Sequence, residues 1–131
     1  MNEIRVPITS DQDVIAARQK GRALAVKLEF SPGDSTLIAT AISELARNIV
    51  SYARCGEIRL LPQNSGKPGI VIVASDNGPG IEDIRQAMRD GFSTSGSLGL
   101  GLPGVRRLVD EFEIASEPGK GTTVIAKKWK P

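Results

Sequence analysis

The strongest structural constraint in this sequence is a continuous apolar run, IVIVA, at residues 70–74. The β-branched residues in it favour strands, and a continuous apolar run of this kind is typical of a buried central strand. The run is far shorter than the roughly 20 residues that a membrane-spanning helix needs. The sequence therefore predicts a globular fold with this strand at the centre of a sheet.

Periodic patterns on either side of this run predict the remaining elements. Alternating apolar and polar residues predict further strands over residues 3–8, 57–61, 112–116 and 122–128. Apolar residues at three-to-four spacing predict helices over residues 12–28, 35–53, 81–90 and 102–110. Paired strands at both ends with helices between them predict an α+β fold, a two-layer α/β sandwich. We expect a mixed, mostly antiparallel sheet with the helices on one face.

Composition excludes several kinds of chemistry. The chain has 131 residues, typical of one domain, and contains no histidine. This excludes a Ser-His-Asp or Cys-His site, a histidine metal ligand and a phosphoacceptor histidine. The single cysteine, Cys55, excludes an intrachain disulfide and a thiolate metal cluster, and we predict that it fills space near a helix end. A net charge of +2 is too balanced to indicate nucleic-acid binding. The N-terminal residues lack an apolar signal segment, so we expect a cytoplasmic protein.

The first candidate site lies on the predicted second helix, where Glu44 and Asn48 are four residues apart. That spacing places both side chains on one helix face, beside the apolar stripe that includes Leu37 and Ala41. Partial burial there suits a general base and a neutral oxygen ligand for a hard cation. The structural alternative is a solvated glutamate and a surface asparagine.

The second candidate is Asp76, directly after the central strand, in the segment DNGPG. A carboxylate at the end of a buried strand lies at the mouth of a pocket and can accept a hydrogen bond from an exocyclic amine. Gly78 and Gly80 would let the backbone approach a planar ring closely. The alternative is a hairpin turn on Asn77 and Gly78, which requires a strand immediately afterwards. Residues 81–90 have a helical pattern instead.

A third candidate runs from Gly99 to Gly104 and formally matches G-x-G-x-x-G. A dinucleotide-binding site would need a strand before the glycines, within a βαβ unit. Here a loop of Ser, Thr and Gly precedes them, and a helix follows, which also disfavours the hairpin of a protein-kinase glycine loop. Glycines that lead into a helix expose backbone N–H groups to an anion. We therefore expect either an anion-binding helix entry or a plain helix start.

The fourth candidate, Gly119-Lys120-Gly121, precedes the last predicted strand, which opens with Thr122. It is not a Walker A loop, because the upstream glycine is missing and Gly121 stands where a serine or threonine is required. The segment predicts a turn between two strands. From that turn the Thr122 hydroxyl would be able to reach a ligand beside Asp76.

In this order and on these elements, the four motifs resemble the GHKL superfamily of ATPases and kinases, which includes gyrase, Hsp90, histidine kinases and MutL. Three segments look like the RsbT switch kinases, small serine/threonine kinases of bacterial stress signalling related to anti-sigma-factor kinases: ELARN at residues 44–48, DGFSTS at 90–95 and GLPGV at 101–105. The resemblance covers the chain from about residue 10 onward. It implies the Bergerat ATP-binding fold and a single kinase domain, residues 1–131.

The resemblance implies ATP and Mg²⁺ as cofactors. Asn48 would bind Mg²⁺ through its side-chain oxygen, and Glu44 would take the proton from a protein serine hydroxyl. Asp76 would bind the adenine amine, and the other nucleotide contacts would come from Gly78, Gly80, Gly99, Leu100, Gly101 and Thr122. Residues 91–98 would form the ATP lid but contain no Lys or Arg. The cation that neutralises the γ-phosphate is therefore not assigned, and Arg85, Arg89 and Arg106 are the candidates.

The resemblance also implies the partners. It points to a serine/threonine kinase that phosphorylates a STAS-domain antagonist or scaffold protein in a bacterial partner-switching stress response. Once released, the kinase would activate a regulatory protein phosphatase. We expect no nucleic acid and no membrane partner, and a homodimer is left open.

The alternative is an anti-sigma factor with serine kinase activity. A nucleotide-binding module without catalysis is disfavoured by Glu44, and a histidine-kinase catalytic domain by the lack of any histidine.

Overall fold

The computed structural model describes residues 3–64, 66–78 and 101–131, which form two layers, a sheet and a set of helices. The five strands are β1 (Ile4–Ile8), β2 (Gly56–Gln63), β3 (Gly69–Asp76), β4 (Glu111–Glu117) and β5 (Gly121–Trp129). The helices are α1 (Asp11–Lys27), α2 (Pro32–Asn48) and α3 (Gly101–Leu108), and a π-helical turn, Ile49–Ala53, continues α2. These elements confirm the α+β sandwich. The helix predicted over residues 81–90 lies outside the described residues.

The strand order is β1-β2-β3-β5-β4, so β3 occupies the middle of the sheet as the apolar run predicts. All four strand pairs among the described residues are antiparallel, and the parallel pairing that a mixed sheet would contain does not occur among them. The antiparallel pairing follows from how the strands are connected. The strand β4 lies at the edge of the sheet, and a short turn connects it to β5, which lies between β4 and β3. This arrangement places the first residues of β5 next to the end of β3.

The core lies between the helices and one face of the sheet. Alternate residues of β2 and β3, such as Leu60 and Ile72, are fully buried on this face, whereas Val71 on the other face is half-exposed. Two residues that the sequence patterns assign to apolar helix stripes are not in the core: Ile15 is 48% exposed and Leu37 is 36% exposed. Each helix packs through only part of its surface, so residues at the margins of a stripe stay in contact with water.

Side-chain hydrogen bonds lie at the starts of the two long helices, and at α2 one of them caps the helix. The Ser31 hydroxyl accepts a hydrogen bond from the Asp34 backbone N–H (3.1 Å), with Pro32 in the first turn. At the start of α1, the Asp13 carboxylate accepts hydrogen bonds from the backbone N–H and the hydroxyl of Thr9, and these lower the pKa of Asp13. The helix α1 begins at Asp11, next to the predicted start at residue 12, whereas α2 begins at Pro32, directly after its cap, rather than at residue 35 as the apolar spacing predicts.

The end of α2 differs from the prediction of one continuous helix to residue 53. Regular α-helix ends at Asn48, the next turn is π-helical, and Arg54 closes it with a φ of 71°. Cys55 follows and is exposed, so its predicted space-filling role is wrong. No helix in the described part of the chain is both long and apolar enough to cross a membrane.

Candidate functional site

Asp76 is the last residue of β3, and its half-buried carboxylate is held by two backbone groups. The N–H of Gly78 donates to Oδ1 (2.9 Å), which closes a local turn, and the N–H of Thr122 on β5 donates to the same oxygen (3.3 Å). No hydrogen bond among the described residues ends on Oδ2. One carboxylate oxygen is thus fixed by the fold, and within the described part of the chain the other is left as an acceptor.

Glycines on both neighbouring strands allow the backbone to pack closely around Asp76. Gly56 of β2 and Thr122 of β5 are its register partners, and Gly121 precedes Thr122. Gly121 has a φ of 111°, and a Cβ there would collide with the Asp76 carbonyl oxygen. A Cβ on Gly56 would lie 2.9 Å from Cγ2 of Ile49. The sequence patterns place Gly121 in the turn of the fourth candidate motif and give Gly56 no role in a site. Their role depends on strand register.

The π-helical turn brings the end of α2 against the end of β3. Ile49, directly after Asn48, packs on Gly56, the strand partner of Asp76. Ala53, the last residue of the turn, packs on Gly78, where a Cβ would lie 2.8 Å from the Ala53 Cα. The two motifs that the sequence separates by almost thirty residues are therefore neighbours in the structure. π-Helical turns within helices are frequent at functional sites.

Glu44 is buried, with only 5% of its surface exposed, and forms an ion pair with Arg47. Nη1 of Arg47 lies 2.7 Å from Oε1 of Glu44, and the Arg47 side chain is 42% exposed. Asn48 is half-buried, and no hydrogen bond among the described residues engages its side-chain amide. The expected desolvation is confirmed, and the alternative of a solvated glutamate is excluded. The sequence patterns predict no role for Arg47, although its three-residue spacing from Glu44 could have indicated the pair.

A polar concavity of about 560 Å³ opens at the same end of the sheet as Asp76. Its lining includes Asp76, Asn77, Lys120 and Thr122. The hydroxyl of Thr122 shares a 2.8 Å hydrogen bond with the hydroxyl of Ser116, which also donates to the carbonyl of Gly121. Thr122 thus lies beside Asp76 as the sequence predicts, with its side chain oriented by Ser116.

The glycine motif that precedes the third helix is only partly described. Gly101 is buried, has a φ of 50° and begins α3, which packs against α2. Arg106 is exposed on α3. The other residues predicted here lie outside the described residues: Gly80, Gly99, Leu100, the lid at 91–98, Arg85 and Arg89. The anion-binding helix entry therefore stays a prediction.

Known proteins resemble this chain over most of its length. Residues 33–131 match the family described as histidine kinase-, DNA gyrase B-, and HSP90-like ATPase. The chain is 54% identical over 125 residues to the serine/threonine-protein kinase RsbT of Bacillus subtilis (strain 168), covering 95% of this chain and 94% of that protein. It is 32% identical over 127 residues to an anti-sigma F factor of Thermoanaerobacter sp. (strain X514), with coverages of 93% and 89%.

Solved structures share the fold at low sequence identity. The RsbU and RsbW domains of a Mycobacterium tuberculosis protein superpose with a TM-score of 0.70 at 17% identity, over 98% of this chain and 32% of that one. Full-length ShkA in complex with AMPPNP gives a TM-score of 0.60 at 18% identity, over 98% and 31%. This chain therefore spans about a third of the length of either solved chain, and the likeness concerns the fold alone.

Proposed function

The chain belongs to the family of histidine kinase-, DNA gyrase B- and HSP90-like ATPases, in the group of RsbT-like protein serine/threonine kinases, and on that premise we propose what its site does. It is an ATP-dependent protein serine/threonine kinase of the partner-switching type. Our proposal is that it phosphorylates a serine of a STAS-domain antagonist or scaffold protein and, when released, activates a regulatory phosphatase. Residues 1–131 would act as one kinase domain.

The observation that carries the proposed site is the packing of the Asp76 turn against the end of α2. Gly78 contacts Ala53 and Gly56 contacts Ile49, so the Asp76 turn packs against the π-helical turn that follows Asn48. The concavity at Asp76 itself is not lined by Glu44 or Asn48. A nucleotide that spanned the Asp76 turn and the end of α2 would have its base at Asp76 and its phosphates near Asn48. A solved protein of the same fold, ShkA, is described in complex with AMPPNP, which supports a nucleotide site.

Asp76 suits recognition of an adenine amine. Its Oδ1 is occupied by two backbone N–H groups, and Oδ2 is the acceptor that an exocyclic amine would use. Gly78 and Thr122 hold the carboxylate from either side and would border the base. We assign contacts with the rest of the nucleotide to Gly80, Gly99, Leu100 and Gly101, as the family resemblance implies.

Asn48 suits Mg²⁺ because its side-chain oxygen is a neutral, hard donor that no hydrogen bond among the described residues uses. Mg²⁺ needs few protein ligands when phosphates and waters complete its octahedron. When bound, the ion would offset negative charge on the phosphates. The chain itself would contribute one ligand, the side-chain oxygen of the half-buried Asn48. This residue lies at the end of α2, and the π-helical turn determines where that end lies.

Glu44 would act on the protein substrate. Its carboxylate would accept the proton of the serine hydroxyl as the serine oxygen bonds to the γ-phosphorus and the bond between that phosphorus and the ADP oxygen breaks. Burial shields the carboxylate from bulk water, which suits a group that acts at a substrate held in one position. The products would be phosphoserine and ADP, with the proton on Glu44.

The test is incubation of the full chain with radiolabelled ATP, Mg²⁺ and STAS-domain proteins from the same operon. We expect one of them to acquire phosphoserine. Glu44→Gln should lower the transfer rate at least about 100-fold with unchanged ATP affinity, and Glu113→Gln, an exposed glutamate on β4, should match the unmodified protein. If Glu44→Gln transferred phosphate at the wild-type rate, Glu44 would not be the group that accepts the serine proton.

The alternative function is that of an anti-sigma factor with serine kinase activity, which the similarity to anti-sigma F factors favours. Gel filtration after mixing with sigma factors distinguishes the two, because an anti-sigma factor forms a complex and a switch kinase does not. A homodimer also stays a prediction, and sedimentation of the purified chain is its test.

A further inference from the structure

We propose that Arg47 is a positioning residue that holds the Glu44 carboxylate in the orientation needed to accept the substrate proton. This inference rests on the proposed kinase function and deepens it. It goes beyond the roles expected for the polar pair on α2, because Arg47 was not among the residues that either the motifs or the family resemblance assigned.

The contact between the two side chains is short and involves one oxygen. Nη1 of Arg47 donates to Oε1 of Glu44 at 2.7 Å. Among the described residues, Glu44 makes no other hydrogen bond and no other ion pair, so Oε2 has no partner there. The spacing of three residues along α2 places both side chains on the same side of the helix.

Anchoring one oxygen determines where the other one lies. The terminal torsion of a glutamate is broad, so an isolated carboxylate rotates freely about its last bond. A hydrogen bond on Oε1 restricts that rotation and leaves Oε2 as the acceptor. This is the general arrangement in which a base is oriented by a third group.

Burial makes this anchor important. With 5% exposure, Glu44 has little access to water, and an unpaired charge in such a place is strongly unfavourable. Arg47 is exposed enough to keep part of its guanidinium hydrated while it compensates the carboxylate. The pair therefore allows a charged, oriented carboxylate to exist at a buried position.

The experiment measures single-turnover transfer of radiolabelled phosphate from ATP to the STAS-domain protein that accepts it, together with ATP affinity by calorimetry. The variants are Arg47→Gln, Arg47→Lys, Glu44→Gln and the double variant. Arg22→Gln is the matched control, since Arg22 is an exposed arginine on α1 that forms no ion pair with another described residue. Circular dichroism and urea unfolding establish that each variant is folded.

We expect Arg47→Gln to lower the transfer rate at least about tenfold while ATP affinity and the KM for ATP stay unchanged. Arg47→Lys should return to within about threefold of the wild-type rate, because a single contact does not require the guanidinium fork. In the Glu44→Gln background, Arg47→Gln should cause no further decrease in the transfer rate. This last result would not follow if Arg47 only stabilised the fold.

Two outcomes overturn the proposal. If Arg47→Gln transferred phosphate as fast as the Arg22→Gln control, the hydrogen bond from Arg47 to Glu44 would be dispensable. If Arg47→Gln lowered the transfer rate by the same factor in the Glu44→Gln background, or if it weakened ATP binding, Arg47 would act on the nucleotide rather than through Glu44. Failure of the wild-type chain to phosphorylate any STAS-domain protein would instead overturn the proposed function.

Discussion

At the scale of single residues, the two carboxylates of the site share one arrangement. Asp76 has Oδ1 bound by two backbone N–H groups, and Glu44 has Oε1 bound by Arg47. In each case the second oxygen has no hydrogen-bond partner among the described residues. An acceptor held in this way loses little conformational freedom when a ligand binds, which favours affinity and orientation.

Replacing Asp76 with asparagine should separate binding from folding. The amide oxygen can still accept from Gly78 and Thr122, so the urea midpoint should change little. The lost charge and the altered second acceptor should weaken ATP binding at least about 30-fold. Calorimetry measures the affinity, and Glu113→Gln, at an exposed position of β4 outside the concavity, is the control that should bind normally. Wild-type affinity in Asp76→Asn would contradict the assignment of Asp76 to the base.

Asn48→Ala should abolish the dependence of ATP binding on Mg²⁺. The substitution removes a side-chain oxygen that no hydrogen bond among the described residues engages, while the backbone of the π-helical turn stays in place. Titration of ATP affinity against Mg²⁺ concentration gives the readout. Asn48→Asp retains an oxygen ligand and should retain the dependence. An unchanged magnesium titration in Asn48→Ala would exclude Asn48 as a metal ligand.

At the scale of elements, the site depends on backbone packing between strand ends and the π-helical turn. Gly121 adopts a φ of 111° next to the Asp76 carbonyl, and Gly56 lies between Ile49 and Asp76. A side chain at either position would push β3 away from its neighbours. The carboxylate of Asp76 is therefore positioned by the sheet register and by small residues, as well as by its own hydrogen bonds.

Gly121→Ala tests this packing. The unfavourable φ and the collision with the Asp76 carbonyl should cost about 2–4 kcal/mol in unfolding free energy. Gly119→Ala in the same turn is a matched control, since Gly119 also has a positive φ (80°) but open space around it. It should cost about 1 kcal/mol. Urea denaturation measures both, and equal losses would show that backbone conformation alone, rather than close packing on Asp76, makes Gly121 necessary.

Individual elements show why local signals predict some features and miss others. Ser31 caps the start of α2 through the nearby Asp34 N–H, whereas the apolar spacing used in the prediction places the start at residue 35. The π-helical turn was predicted as ordinary helix, since the apolar spacing of residues 35–53 does not distinguish the two. The burial of Glu44 was predicted from its place at the edge of an apolar stripe. Its pairing with Arg47 was not predicted, although the spacing allowed it.

At the scale of the whole molecule, the buried core cluster lies on the face of the sheet that packs against the helices, although Val73 on the opposite face of β3 is also buried, with 7% exposure. Ile72 faces the helices and is fully buried, whereas Val71 is half-exposed on the opposite face. The layer between the sheet and α1 and α2 is therefore the source of most hydrophobic stabilisation in the described part of the chain. This layer also supports the helix that carries Glu44 and Asn48.

Alanine substitutions at adjacent positions of β3 should show this asymmetry. Ile72→Ala should lower the free energy of unfolding by about 2–5 kcal/mol, because it leaves a cavity in the core. Val71→Ala should cost about 1 kcal/mol, because its side chain is only partly removed from water. Urea denaturation provides both values, and similar losses at the two positions would contradict a core confined to one face of the sheet.

By itself, the sequence determined the order of the described strands and long helices, the central place of the apolar strand and the presence of polar groups at its end. These features depend on residues that are close in the chain, through periodicity, capping and β-branching. Tertiary structure alone decided that β5 lies between β3 and β4 and that Gly56 and Gly121 flank Asp76. It also decided that the end of α2 packs on the Asp76 turn, because such contacts join residues far apart in sequence and depend on register and on how the layers pack.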